Sequence, residues 1–117
     1  MLKTLLLFAV TIISSDLLAQ TKIPVDSVNS HIGENVTICS QVFGVKSTAT
    51  VNFINLGAAY PNSPLTVVIF AKDSANFKQP VADLYNDKKL CVTGILSVYK
   101  GKTQIVVNKP EKIQVVL

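Results

Sequence analysis

The chain has 117 residues, a formal net charge of +4 and 49% hydrophobic against 15% charged residues, a balance that excludes a disordered chain and suits one packed domain. All 11 of its cations are Lys, so the bidentate guanidinium fork that marks specific phosphate or base recognition is missing, while mild basicity remains compatible with a polyanionic partner. Two Cys and one His supply too few soft ligands for a zinc site, and no metal or other cofactor is expected.

The first residues, "MLKTLLLFAVTIISSDLLAQ", carry one cation at Lys3, an apolar run from Leu5 to Ile13 and small or apolar residues before a cut after Ala19. That is the pattern of a secretory signal peptide over residues 1–19. A membrane anchor needs about 20 apolar residues, and Ser14, Ser15 and Asp16 interrupt this run. The mature chain is therefore expected to be exported to the periplasm or beyond, without stable membrane insertion, and it keeps the +4 because Lys3 and Asp16 leave together. In an oxidising compartment Cys39 and Cys91 are expected to pair, closing a loop of about 50 residues worth roughly 3 to 4 kcal/mol in the chain-entropy model.

Residues 20–30 hold one Pro and no clear period, and read as an extended lead-in to a domain over residues 31–117. "HIGENVTICSQVF" opens the first strand of that domain: Val36, Ile38 and Val42 share one parity, Thr37, Cys39 and Gln41 the other. Gly44 is expected to end it. "KSTATVNFINLG" reads as a second strand with Val51 and Phe53 on one side and Asn52 and Ile54 on the other, broken by Gly57, Pro61 and Pro64. "LTVVIFAK" is a third, apolar enough to be covered at least partly on both faces. "DSANFKQPVADLYND" then spaces Phe77, Val81, Leu84 and Tyr85 at threes and fours, which predicts a short, Pro-interrupted helix with Asp73 or Ser74 as its cap. "KKLCVTGILSVYKGKTQIVVNK" is a hairpin with its tip at Lys100-Gly101-Lys102, and the run from Ile113 to Leu117 pairs with an edge.

Three strands, a short helix and two strands predict an all-β, five-stranded Greek-key barrel of the oligonucleotide/oligosaccharide-binding (OB) type, with the helix between its third and fourth strands. Strands one and four are neighbours in such a barrel, which puts Cys39 and Cys91 on adjacent strands with the same parity. An immunoglobulin-like sandwich is the rival; against it stand the lack of any Trp, the absence of a Tyr two residues before Cys91, and the helical segment. "HIGENVTICSQV", "NFINLGAAYPNSPLTVVIF" and "DKKLCVTGILSVYKGKTQIVV" together resemble the small exported bacterial OB-fold proteins of nucleic-acid-binding type and the OB modules of some bacterial extracellular nucleases. The resemblance covers His31 to Val107 and implies the fold more than the function.

The titratable groups His31, Asp26, Glu34, Asp73, Asp83, Asp87 and Glu111 fall on separate segments with no catalytic or metal-binding spacing, so no enzyme is expected. OB folds bind along a groove across strands two and three, flanked by the loops joining strands one to two and four to five. Those loops are read here as "GVKST" with Lys46 and "YKGK" with Tyr99, Lys100 and Lys102, while Asn52, Tyr60 and Phe70 lie near the groove. Cations and flat rings suit single-stranded DNA or RNA. Plainer readings stand beside this: a soluble hairpin tip for the two lysines, a core position for Phe70, a lid over the barrel end for Tyr60. An envelope protein or a glycan is the alternative partner. Thiol titration of the exported protein is expected to find no free sulfhydryl; two reactive groups would refute the Cys39–Cys91 bridge.

Overall fold

The computed structural model describes residues 21–117; the signal-peptide reading lies outside the described residues. These form strands β1 (Thr21–Lys22), β2 (Asn35–Ser47), β3 (Val51–Leu56), β4 (Leu65–Phe70), β5 (Lys89–Tyr99), β6 (Lys102–Val106) and β7 (Ile113–Val116), with helix α1 (Val81–Tyr85) between β4 and β5. Pairing runs β2–β3–β4–β6–β5 and returns from β5 to β2, so five strands close into a ring. Within the ring every pairing is antiparallel except β4 with β6. This is the order expected of an OB fold, and the helix stands where it should, between the third and fourth strands of the ring.

Alternation along each strand explains the core. Val36, Ile38, Ile54, Leu56, Leu65, Val67, Ile69, Leu90, Val92 and Ile105 all point inward and are completely buried, as the period of two demands. Gly94 makes that closure possible. A Cβ at this position would lie 2.5 Å from Ile105 Cγ2, so only a residue without a side chain lets β5 approach β6 this closely.

The two cysteines form a disulfide with Cα atoms 3.9 Å apart, and they oppose each other directly in the β2–β5 register. They sit on the outer side of that seam, since the inward positions on either side, Ile38 and Ser40 and Leu90 and Val92, are buried. Beside them Thr37 and Thr93 share a hydroxyl hydrogen bond of 2.8 Å. The tail also behaves as expected, β7 pairing with β5 from Lys89–Val116 to Val92–Ile113.

Three local expectations are corrected. Gly44 does not end the first barrel strand: β2 runs on to Ser47, and Gly44, with φ +143°, sits in a bulge between Val42 and Val45 where the register with β3 shifts. A glycine there relieves the conformation that the extra residue imposes. The lead-in is extended only at Thr21–Lys22, which pairs parallel with β2; Val25–Ser30 is a 3-10 turn that buries Val28 in the core, and Thr103 Oγ1 donates to Asn29 Oδ1 at 2.5 Å. Neither Asp73 nor Ser74 caps α1. Both belong to a separate 3-10 turn, Ala71–Asn76, and α1 starts after Pro80, whose ring carries no hydrogen-bond acceptor to serve as a side-chain cap.

Tyr85 of α1 is 4% exposed and meets Phe77 edge-on, ring centroids 6.3 Å apart. Burial pushes its phenol up from the ordinary 10.0, because an ionised ring would leave water behind. The unfolded chain therefore releases this proton first, so stability is intact below about pH 10 and falls as pH rises through the raised folded value. The denaturant midpoint of Tyr85→Phe is expected to decline less steeply than that of the parent between pH 10 and 11.5; parallel declines would contradict this. Gly94→Ala is expected to lose about 1–3 kcal/mol by overpacking against Ile105, measured as a shift in the urea midpoint at constant slope.

Candidate ligand-binding face

The ring gives β3, β4 and β6 two different sides. Inward residues fill the core, and the registers align the outward ones in rows across the strands. At the hairpin end Tyr99 lies beside Lys102. Next come Ser97, Gln104, Thr66 and Asn55, then Val106, Val68, Phe53 and Lys46, then Phe70 beside Val51. Rows two residues apart are separated by about 6.8 Å, so the face is roughly 20 Å long. Val68, between Phe53 and Val106, is only 4% exposed yet lies outside the core cluster. The outer side thus carries a small apolar layer of its own, which is why "LTVVIF" is apolar almost without a break.

Of the seven residues singled out from the sequence, six reach this side or its rim. Lys46 does so as a strand residue, opposite Phe53, and not from a loop. The β2–β3 connection is only Thr48–Thr50, tightened by Thr48 Oγ1, which accepts the N–H groups of Thr50 and Val51 at 3.3 and 3.1 Å. Phe70 is 40% exposed at the far end of the face, so it is an outward ring and not a core residue. Tyr60 is 73% exposed, and Lys102 joins it to the hairpin: the Lys102 ammonium lies 5.4 Å from the Tyr60 ring centroid and donates to the Pro61 carbonyl at 2.6 Å. Lys100 lies at the same distance over Tyr99. Such cation–π pairs hold rings and charges together at the surface for about 0.5–1 kcal/mol each. None of Lys46, Lys100 and Lys102 is in an ion pair among the described residues.

Asn52 is the exception. It points inward, 8% exposed, accepts from Ser47 Oγ at 2.6 Å and donates to the Ile69 carbonyl and to Ser74 Oγ, both at 3.2 Å. Its amide closes one end of the barrel by tying β2, β4 and the 3-10 turn, and it drops out of the face. A buried amide without these partners would carry a desolvation penalty. Asn55 accepts from the side chains of Ser63 and Thr66 at 3.2 and 3.3 Å, which fastens the loop after β3.

Phe53, Gln104, Val106 and the 49% exposed Phe43, which lies in the bulge opposite Asn55, belong to the face and were not identified from the sequence. The parity of β3 was legible; its direction was not. A polar Asn52 beside apolar Val51 and Phe53 suggests the reverse of the true orientation. Among the described residues no three His, Cys, Asp or Glu side chains come together as a metal site.

No protein-family pattern matches the chain, and no curated protein matches it in sequence. Solved structures do. An aspartyl-tRNA synthetase from Leishmania major Friedlin matches over 92% of this chain with 16% identity and a TM-score of 0.59. An OBody bound to hen egg-white lysozyme matches over 84% with 15% identity and a TM-score of 0.60, covering 94% of the OBody. The yeast Stn1 and Ten1 structure matches over 84%, with 14% identity, a TM-score of 0.57 and 63% of that chain covered. The chain spans only 23% of the synthetase. At identities this low the likenesses establish architecture alone, and together with the closed ring they make the described chain an OB fold.

Proposed function

We propose that the chain is an exported, non-enzymatic binding module that holds single-stranded nucleic acid across the outer side of β3, β4 and β6. One observation carries the reading: this side and its rim present the rings of Phe53, Phe70, Tyr60 and Tyr99 together with Lys46, Lys100 and Lys102, and no acidic residue occurs in β3, β4 or β6. Bases stack on rings and phosphates need cations, in a surface free of opposing carboxylates. The absence of Arg fits a binder without strong sequence preference. Export is supported by the pattern of residues 1–19 and by the disulfide, which persists in oxidising compartments. Among the similar structures, a tRNA synthetase is by its name an enzyme of RNA.

A second reading has its own support. The row Phe53–Val68–Val106 is apolar, and the OBody structures show OB-like proteins bound to a protein, lysozyme. Binding of an envelope protein through this row would be insensitive to salt, and a glycan would depend on the rings with equally little salt effect.

Fluorescence anisotropy with a labelled 12-nucleotide oligothymidylate separates these readings. Binding is expected near 50 mM salt and to fall steeply toward 200 mM. Lys46→Ala with Lys100→Ala is expected to reduce the magnitude of the log–log salt slope by about 1.4, at roughly 0.7 per phosphate contact in a single strand. Phe53→Ala is expected to weaken binding by about 1–3 kcal/mol at every salt concentration. Lys102 is left in place because it holds Pro61. No binding at low salt rules the nucleic-acid reading out.

A further inference from the structure

At the far side of β6 the β5–β6 ladder stops at Leu96–Ile105, and the strands diverge around an open depression of about 390 Å³. Gly94, Ile95, Val106 and Val107 contribute its apolar lining, and Asn35, Thr93, Ser97, Asn108 and Lys112 its polar groups, the Thr93 hydroxyl being already bonded to Thr37. Lys112 is the only charged residue lining it; the neighbouring Glu111 borders a different hollow with Lys109 and Asn76. The side chains of Asn35, Ser97, Asn108 and Lys112 make no hydrogen bond or ion pair to any other group among the described residues; the one bond at Asn108 uses its backbone carbonyl, which accepts from Asn76. The depression is continuous with the face, because Val106 and Ser97 line it and also stand in the rows beside Val68 and Gln104.

We propose that this depression is an anion subsite in which Lys112, with Asn35, Ser97 and Asn108, binds a phosphate of a nucleic-acid strand that has crossed the face from the Lys100–Lys102 end. The assignment rests on the nucleic-acid reading above and adds a second cationic anchor outside the groove bounded by the strand-connecting loops. Charge complementarity selects the ligand: one ammonium, two amides and the unpartnered Ser97 hydroxyl, with no carboxylate in the lining, suit a phosphate. The two anchors are separated by β6 and the two residues after it, from Lys102 to Asn108, about 20 Å of extended chain. A strand must therefore span the face before it engages both, and affinity should depend on length.

Labelled oligothymidylates of 3 and 12 nucleotides test this by anisotropy, lengths below and within the roughly 4–16 nucleotides that an OB fold covers. Lys112→Ala with Asn35→Ala is expected to weaken the 12-mer about tenfold and to reduce its salt slope by about 0.7, while binding of the 3-mer is unchanged. Lys88→Ala with Lys89→Ala, which removes two charges from the start of β5 and the turn before it, serves as the control, and thermal melts verify that both variants fold. Failure of the parent to bind the 12-mer at low salt overturns the nucleic-acid reading and the subsite with it. A parent that binds, with a Lys112/Asn35 variant of equal affinity and slope, overturns the subsite alone. An equal or greater loss in the Lys88/Lys89 control does the same, since net charge would then account for the effect.

Discussion

The seam between β2 and β5 is the constraint on which the molecule depends. Seven consecutive residues, Asn35 to Gln41, pair antiparallel with Lys89 to Ile95, and these segments lie 52 residues apart where the disulfide joins them. Without this pairing β2, β3, β4, β6 and β5 would form an open sheet with two long unpaired edges. Closure satisfies those edges. It does so at the entropic cost of bringing together distant segments, which the Cys39–Cys91 bond reduces by restricting the unfolded chain. Inside the seam Val36, Ile38, Leu90 and Val92 are completely buried, so hydrophobic burial and the covalent bond act on opposite sides of the same ladder.

The candidate face is a consequence of that ring. β2 is long enough to pair with β5 over its first half and with β3 over its second. The bulge at Phe43–Gly44 lies where it changes partner, and past it the strand delivers Lys46 to the row that contains Phe53, Val68 and Val106. β6 does the same on the other side, paired antiparallel with β5 and parallel with β4. Because the inner sides of these strands are fully occupied by the core, outward side chains are free to serve recognition, and a change there does not open a cavity.

Polar side chains divide between framework and surface. The Asn52 amide ties one end of the barrel together, and Asn55 fastens the loop that presents Tyr60. Lys102 has both duties, holding the Pro61 carbonyl while carrying charge at the rim. The 3-10 turn at Val25–Ser30 contributes Val28 to the core, so the segment before the ring is part of the packed domain.

Much of the fold was determined by the sequence alone. Period-two alternation marked the five ring strands, spacing and proline marked the helical interruption, and shared parity allowed Cys39 and Cys91 to meet on neighbouring strands without fixing their register. Each is a local property of the chain, encoded in the spacing of apolar residues. Tertiary structure decided the rest. Alternation distinguishes two sides of a strand but does not say which faces the core, so only ring closure could turn Asn52 inward and Phe53 outward. Likewise Gly44 is a breaker or a bulge according to whether a partner strand lies alongside. The face became visible only when β2, β3, β4 and β6 were in register, because its rows join residues that are far apart in the chain.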